Sequence, residues 1–444
     1  MNQTPHFKVI LILSTAVWLV VMNTTMFNIA LPDILQDFSI TPSQGAWIVS
    51  GYSIVLAIFT ITYTRLSDYM PIRTLLIIGI SIFGLSSILG FFADSFLTLL
   101  FARLLQATGS AAIPGLSFVY AGRYIPFERR GRSMALIASA SSLGFGLGPV
   151  VGGGITDYLD WNYLFIVTLM VVLVIPLLLK IMPGEEIRKG RFDVLGAILT
   201  GVTITSFLLF ISTFTWYYLT AGILTGFLLW LRLNRSDVPF IQPDLLRNKY
   251  FRRVLFISFL GFATHFAILF LMPIMLQQVF DKGASAIGLI IFPGAMVSAI
   301  AAVFVGRLID RYGNMKVLAM AHGLLIISTL IFYFLSPINE YMIMIAYMFT
   351  SFGFSSLSTS TTNEVSRILP EEQIGSGIGM KQQTHFIGSA SGSVLAGILL
   401  EINEAPYQAG AFAIPFGALI GLMGLSFLLF LYYWRFAPAG IEGK

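Results

Sequence analysis

The sequence contains no cysteine, and only 11% of its 444 residues are charged. The first absence removes disulfides, thiol nucleophiles and cysteine-ligated metals. The second removes the soluble class, in which about a quarter of the residues carry charge. Four scattered histidines supply no metal cluster and no Ser/His/Asp set, and no glycine-rich nucleotide loop is present. A membrane-embedded enzyme or receptor therefore finds no support, and no cofactor or metal is expected. No polar stretch exceeds about twenty residues, which leaves no room for an ATP-hydrolysing domain. What is present is apolar: 57% of the residues are hydrophobic and the mean hydropathy is +0.85. An all-α polytopic membrane protein is the class this composition fits. The first apolar run, Val9 to Ile29, is long enough to span and lacks the small-residue cleavage site of a leader peptide.

A helix needs about 20 apolar residues to cross the hydrocarbon. Fourteen such segments can be drawn, at 9–31, 45–64, 74–92, 97–122, 134–156, 162–182, 194–212, 216–231, 254–279, 285–306, 317–336, 341–366, 376–400 and 409–434. Only Thr213 to Thr215 separates the seventh from the eighth; without that pair twelve remain and both ends stay on one side. With the N-terminus inside, the cytoplasmic segments and tails, with Lys180 at the cytoplasmic end of its span, collect 23 of the 26 lysines and arginines. Lys282 alone lies outside, and Arg103 and Lys381 fall within spans. This asymmetry places both termini in the cytoplasm under the positive-inside rule. It also explains the basic balance without nucleic acid.

Two features suggest repeated halves. TRLSDYMPIR, Thr64 to Arg73, and GRLIDRYGNMK, Gly306 to Lys316, each carry Leu-x-Asp in a short basic loop. Six spans per half, with an inserted pair between them, account for the spacing. The expected organisation is a six-helix bundle over 1–182, a linker with two extra helices over 183–252, and a second six-helix bundle over 253–444. The other feature is GFGLGPVVGGG, Gly144 to Gly154, in the fifth span. Gly144, Gly148 and Gly152 repeat every four residues and line one helix face; Pro149 frees a backbone carbonyl in the middle of that face, and Gly146, Gly153 and Gly154 thin it further. Such a face serves either as an ordinary close-packed helix contact or as a bendable seam about which two bundles rock.

These residues resemble the major facilitator superfamily, and most closely its fourteen-helix drug:proton antiporters, a group that includes tetracycline and multidrug exporters. The loop motif Gly-x-Leu-x-Asp-x-x-Gly-x-(basic) is similar at Leu66, Asp68 and Arg73, and again at Gly306, Leu308, Asp310 and Gly313; Thr64 and Pro71 replace glycine in the first copy. The fourth-helix motif Arg-x-x-Gln-Gly-x-Gly is carried by Arg103, Gln106 and Gly109, with Ala107 at its first glycine. GFGLGPVVGG is similar to the fifth-helix motif of exporters. In span one, Asn23, Thr25, Asn28, Ala30, Leu31 and Pro32 follow the group's Asp-x-Thr-x-x-Asn-x-Ala-Leu-Pro except at its acid. Trp47 and Tyr52 sit at the second-helix aromatics. The resemblance implies export of a small hydrophobic substrate in exchange for protons, by alternating access, from a monomer in the bacterial cell membrane. Asn23 cannot take up a proton, which keeps an uncoupled facilitator or a lipid or glycolipid flippase open as the alternative.

The candidate residues follow. Asp68, Arg73, Asp310 and Arg311 are placed as gating groups in the two repeated loops, with Arg123, Arg129, Arg130 and Arg132 near Asp68; a solvated loop acid is the simpler reading. Arg103 lies inside a span, where a guanidinium needs a polar cavity or a partner. Glu364 is the one carboxylate that falls inside a span. It pairs either with Lys381, as a protonation switch, or with Arg367 one turn away. Arg103, Glu364 and Lys381 are thus the proton-coupling candidates. Asn23, Thr25, Asn28, Gln106, His265, Asn363 and Gln382 are the candidates for the substrate cavity; for the single histidines His265 and His322, a cavity-lining or core-satisfied role outweighs a proton relay. Asp157 and Glu401 fall in outer loops as solvated acids.

Overall fold

A computed structural model describes residues 4–67, 69–125, 127–182, 193–236, 239–240, 243–402 and 409–436. Asp68 lies outside the described residues, as do the side chains of Asp310, Arg129, Arg130 and Arg132. Among the described residues the regular structure is entirely helical: α1 Thr4–Asp37, α2 Pro42–Leu66, α3 Ile72–Phe91, α4 Phe96–Ser110, α5 Ala112–Tyr124, α6 Phe127–Leu159, α7 Leu164–Leu169, α8 Val174–Ile181, α9 Val194–Thr213, α10 Trp216–Arg235, α11 Pro243–Arg247, α12 Lys249–Gln278, α13 Ala284–Tyr312, α14 Asn314–Phe334, α15 Glu340–Ile368, α16 Glu371–Glu401 and α17 Ala413–Phe436. Among the described residues, ten helical stretches are long and apolar enough to cross a membrane by length and composition. The sequence suggested fourteen. Helices α6, α10, α13 and α16 occupy the other four segments but do not meet the same measure over their described residues.

Proline sets the breaks inside spans. Pro114 has no N–H for the carbonyl of Ser110, and α4 gives way to α5 at Ala111. Pro176 removes the donor for Val172, and the chain before it tightens into a 3₁₀ turn over Met170–Leu173. The faces that no helix covers are apolar: Leu85, Leu97, Phe101, Leu173 and Phe227 are all largely exposed, the pattern of a lipid-facing surface.

By their contacts the residues group into two compact units. The first comprises Met1–Ile40, Trp47–Phe192 and Gly283–Leu289. Its closest pairing is α1 on α6, and the glycines explain how. A Cβ at Gly144 would lie 2.8 Å from the Trp18 carbonyl oxygen, one at Gly152 would lie 2.9 Å from Met26 Cα, and one at Gly148 would collide with Thr25 Oγ1. The backbones can meet only because these three positions have no side chain. On another face of α6, Gly153 lies against the carbonyl of Ala284, and Gly288 against that of Pro149. Asp157, at the end of α6, accepts from the Ala284 and Ser285 N–H groups at 2.8 and 2.9 Å and caps α13.

The second unit comprises Thr41–Ala46, Asp193–Lys282 and Ile290–Lys444. Here α12 packs on α16 and α14 on α15, and α17 covers α14 and α12. Glu401, at the end of α16, accepts from the Ser43 N–H at 2.5 Å and so caps the start of α2, as Asp157 does for α13. Both acids were expected as solvated loop residues; they are exposed, yet each holds a helix N-terminus. Helices α9 and α10 form a hairpin joined by a Thr203–Thr225 hydrogen bond of 3.0 Å, and only Gly222 and Leu233 of α10 are buried. Asp193 anchors the hairpin, pairing with Arg232 at 3.0 Å and accepting from the Gly196 and Phe240 N–H groups.

Candidate functional site

The first unit buries a chain of polar side chains. Arg103, on α4, is 1% exposed. Its Nη1 donates to Gln106 Oε1 at 2.5 Å and to Asn23 Oδ1 at 3.3 Å. Asn23 Nδ2 donates in turn to Gln106 Oε1 and to the Tyr52 hydroxyl, which donates to Ser110 Oγ at 2.8 Å. Gln106 Nε2 donates to Ser87 Oγ at 2.9 Å and to Thr168 Oγ1 at 3.2 Å. Helices α1 to α4 and α7 therefore share one network.

The guanidinium also lies over two rings, 4.0 Å from the Phe27 centroid and 4.2 Å from that of Tyr52. Hydrogen bonds to a charged group contribute roughly 1.5–3 kcal/mol each, and ring contacts roughly 0.5–2 kcal/mol. Together these offset a desolvation cost of several kcal/mol. No carboxylate among the described residues forms an ion pair with Arg103. Its Nε is buried without a partner.

The remaining candidates in this unit separate. Asn28 is buried with neither amide atom hydrogen-bonded. Thr25 bonds to the Met22 and Gly144 carbonyls, inside the α1–α6 seam. Arg73 donates to the Met182 carbonyl at 3.3 Å and braces the end of α8. Arg123 donates to the Ser67 carbonyl and hydroxyl, next to Asp68 in the chain.

In the second unit, Glu364 is fully buried and fully engaged. It accepts from Tyr433 at 2.5 Å, from Asn314 Nδ2 at 2.8 Å and from Arg367 Nη1 at 3.1 Å. Of the two partners weighed from sequence, Arg367 is the one it has, because positions three apart share a helix face. Lys381 instead donates to Thr362 Oγ1 at 2.7 Å and to the Ser358 carbonyl at 3.1 Å, and is 2% exposed. Of the two alternatives, the Glu364–Lys381 pair is the one that does not form. Asn314 follows Gly313, whose φ of +86° fits the loop motif's glycine. Pro71, at the matching place in the first loop, has φ −56°.

His265 stacks on Phe354 with centroids 3.9 Å apart, and His385, one turn along α16 from Lys381, stacks on Phe262 at 3.5 Å. The Nδ1 of His265 is buried and unpartnered. His322 bonds to Ser426 and to the Leu318 carbonyl, as a core histidine does. Asn363 is half-buried; Gln382 is exposed while Gln383 beside it is buried. Arg311 is exposed over the Tyr312 ring. In the loop before α13, Lys282 pairs with Glu340 at 2.9 Å, and that hydrogen bond raises the lysine above its ordinary pKa.

A family model described as Major Facilitator Superfamily matches residues 13–393. The chain belongs to the major facilitator superfamily. It is similar to the multidrug efflux pump LfrA of Mycolicibacterium smegmatis, at 26% identity over 90% of this chain and 81% of LfrA. It is also similar to the riboflavin transporter RibZ of Clostridioides difficile, at 24% identity over 83% of this chain and 82% of RibZ. A solved bacterial homologue of the human lysosomal transporter Spinster shares the fold, with a TM-score of 0.68 at 13% identity over 98% of each chain. The protein is thus a multi-pass membrane transporter of this superfamily and not an enzyme.

Sequence reasoning found Arg103, Gln106 and Asn23 but not Ser87, Thr168 or Phe27 around them. Nor did it find Tyr433 and Asn314 around Glu364. Asn314 sits inside the repeated loop GRLIDRYGNMK, so the signal was there; Tyr433 is one aromatic among many.

Proposed function

We propose that the protein exports a small hydrophobic molecule by alternating access, and that inward proton movement drives it. The observation that carries this is the Asn23–Arg103–Gln106 network. Ionised and amide groups wholly buried in an apolar helical unit cost stability, and in membrane proteins they mark substrate or ion paths. Similarity to an efflux pump and the exporter-like glycine motif give the direction. The architecture we assign is fourteen spans: bundles of six over 1–182 and 253–444, an inserted pair within 183–252, and both termini cytoplasmic. Glu364 is the proton site in this reading, because it is the one fully buried carboxylate among the described residues. Asp68 and Asp310 gate the cytoplasmic side, and the chain works as a monomer.

One observation favours a second reading. Asn23 holds Arg103 where the resembling group has an acid, and Glu364 already pairs with Arg367 at 3.1 Å. Transport would then be uncoupled, as in a facilitator or a lipid flippase. Reconstituted protein with an imposed pH gradient separates the two. Proton antiport predicts flux that follows the gradient in the parent, with gradient dependence lost in Glu364→Gln. Equal flux with and without the gradient transfers the assignment to the uncoupled reading.

A further inference from the structure

Of the Asp, Glu, Lys and Arg side chains among the described residues, four are buried: Arg103, Asp193, Glu364 and Lys381. The two acids are each neutralised by an arginine, Asp193 by Arg232 and Glu364 by Arg367. The two bases are not neutralised. Lys381 rests on a hydroxyl and a carbonyl, and Arg103 on two amide oxygens and two rings. Each unit therefore buries one cation without a counter-charge among the described residues.

Arg103 is the more informative. All its hydrogen bonds run through Nη1, and its faces meet Phe27 and Tyr52. What remains is the edge formed by Nε and Nη2, neither of which has a hydrogen-bond partner among the described residues; Nε is fully buried. Those two nitrogens present parallel N–H groups, the fork that accepts a carboxylate in two hydrogen bonds. A guanidinium cannot shed its charge, so a site of this kind gains most from an arriving anion. Asn23 matters equally. An aspartate at that position would supply the anion from within the chain; the amide leaves the charge to be met by something else.

We infer that Arg103 is the recognition group for an organic carboxylate, and that the substrate is an amphiphilic anion with an apolar body rather than a lipophilic cation. Phe27 and Tyr52 hold the guanidinium plane so that its free edge is presented. This rests on the transporter reading for the existence of a substrate, but not on export or proton coupling.

The test measures binding to purified protein in nanodiscs by titration calorimetry. The probes are 1-naphthoate and decanoate, against (1-naphthylmethyl)trimethylammonium and decyltrimethylammonium. The parent is expected to bind at least one carboxylate and neither ammonium. Arg103→Gln is expected to weaken carboxylate binding at least tenfold, and Arg103→Lys, which keeps charge but loses the fork, to weaken it less. Asn23→Asp is isosteric and gives Arg103 an internal partner, so its loss of carboxylate binding, at least tenfold, cannot be ascribed to unfolding. Preference of the parent for an ammonium, binding of chloride but of neither carboxylate, or undiminished carboxylate affinity in Asn23→Asp overturns the inference. Carboxylate binding without gradient-driven flux overturns proton coupling and leaves the inference standing.

Discussion

Asn23 on α1 and Arg103 on α4 are joined by a hydrogen bond of 3.3 Å in which a neutral amide, not a carboxylate, meets a buried guanidinium. Gln106 completes the arrangement by accepting from both residues at one oxygen. A partner that cannot ionise leaves the charge fixed and the surroundings dependent on hydrogen-bond satisfaction.

Gln106→Leu should therefore be among the most damaging substitutions in the first unit. It strips acceptors from Arg103 and Asn23, and each orphaned buried group costs roughly 1–3 kcal/mol. Thermal unfolding in detergent should show a lowered midpoint. An unchanged midpoint would mean the network is not holding the helices together.

The α1–α6 seam makes a contrast within one motif. A methyl at Gly148 collides with Thr25, whereas a methyl at Gly154 meets nothing within 4 Å. Gly148→Ala should destabilise by about 1–3 kcal/mol through overpacking, and Gly154→Ala should be close to neutral. Equal effects would contradict the close approach of the two backbones.

Glu364 ties α15 to the start of α14 and the end of α17 through Asn314 and Tyr433. Tyr433→Phe removes one hydrogen bond to a carboxylate, and should cost roughly 1.5–3 kcal/mol. The same substitution made in a Glu364→Gln background should cost distinctly less. Full additivity in that double-mutant cycle would show that the two side chains do not interact.

Asp157 caps α13 through two N–H groups, at 2.8 and 2.9 Å. Asp157→Ala should cost about 1 kcal/mol and speed hydrogen exchange at the Ala284 and Ser285 amides. Unchanged exchange at those amides would remove the cap from the description.

Much of the fold was legible because its signals are local. Apolar runs of span length, the basic loops and the glycine spacing at Gly144, Gly148 and Gly152 each follow from short stretches of chain. The core of the first site was legible for a similar reason: a guanidinium and an amide three residues apart in an apolar helix have few bland explanations. What failed was pairing across distance. Glu364 could meet Lys381 or Arg367, and only three-dimensional packing selects Arg367. Ser87 and Thr168 are ordinary small hydroxyls until Gln106 is laid between them. Asp157 and Glu401 look like loop acids because the helix starts they cap lie more than a hundred residues away in the chain.

Export itself is tested most directly with everted membrane vesicles from cells producing the parent or Arg103→Gln, loaded with labelled 1-naphthoate from outside and energised by a pH gradient. An exporter built around the Arg103 network predicts accumulation inside vesicles carrying the parent, collapse of that accumulation when the gradient is dissipated, and none above background with Arg103→Gln. Accumulation that is equal in the two vesicle preparations, or that occurs only in right-side-out vesicles, would contradict it.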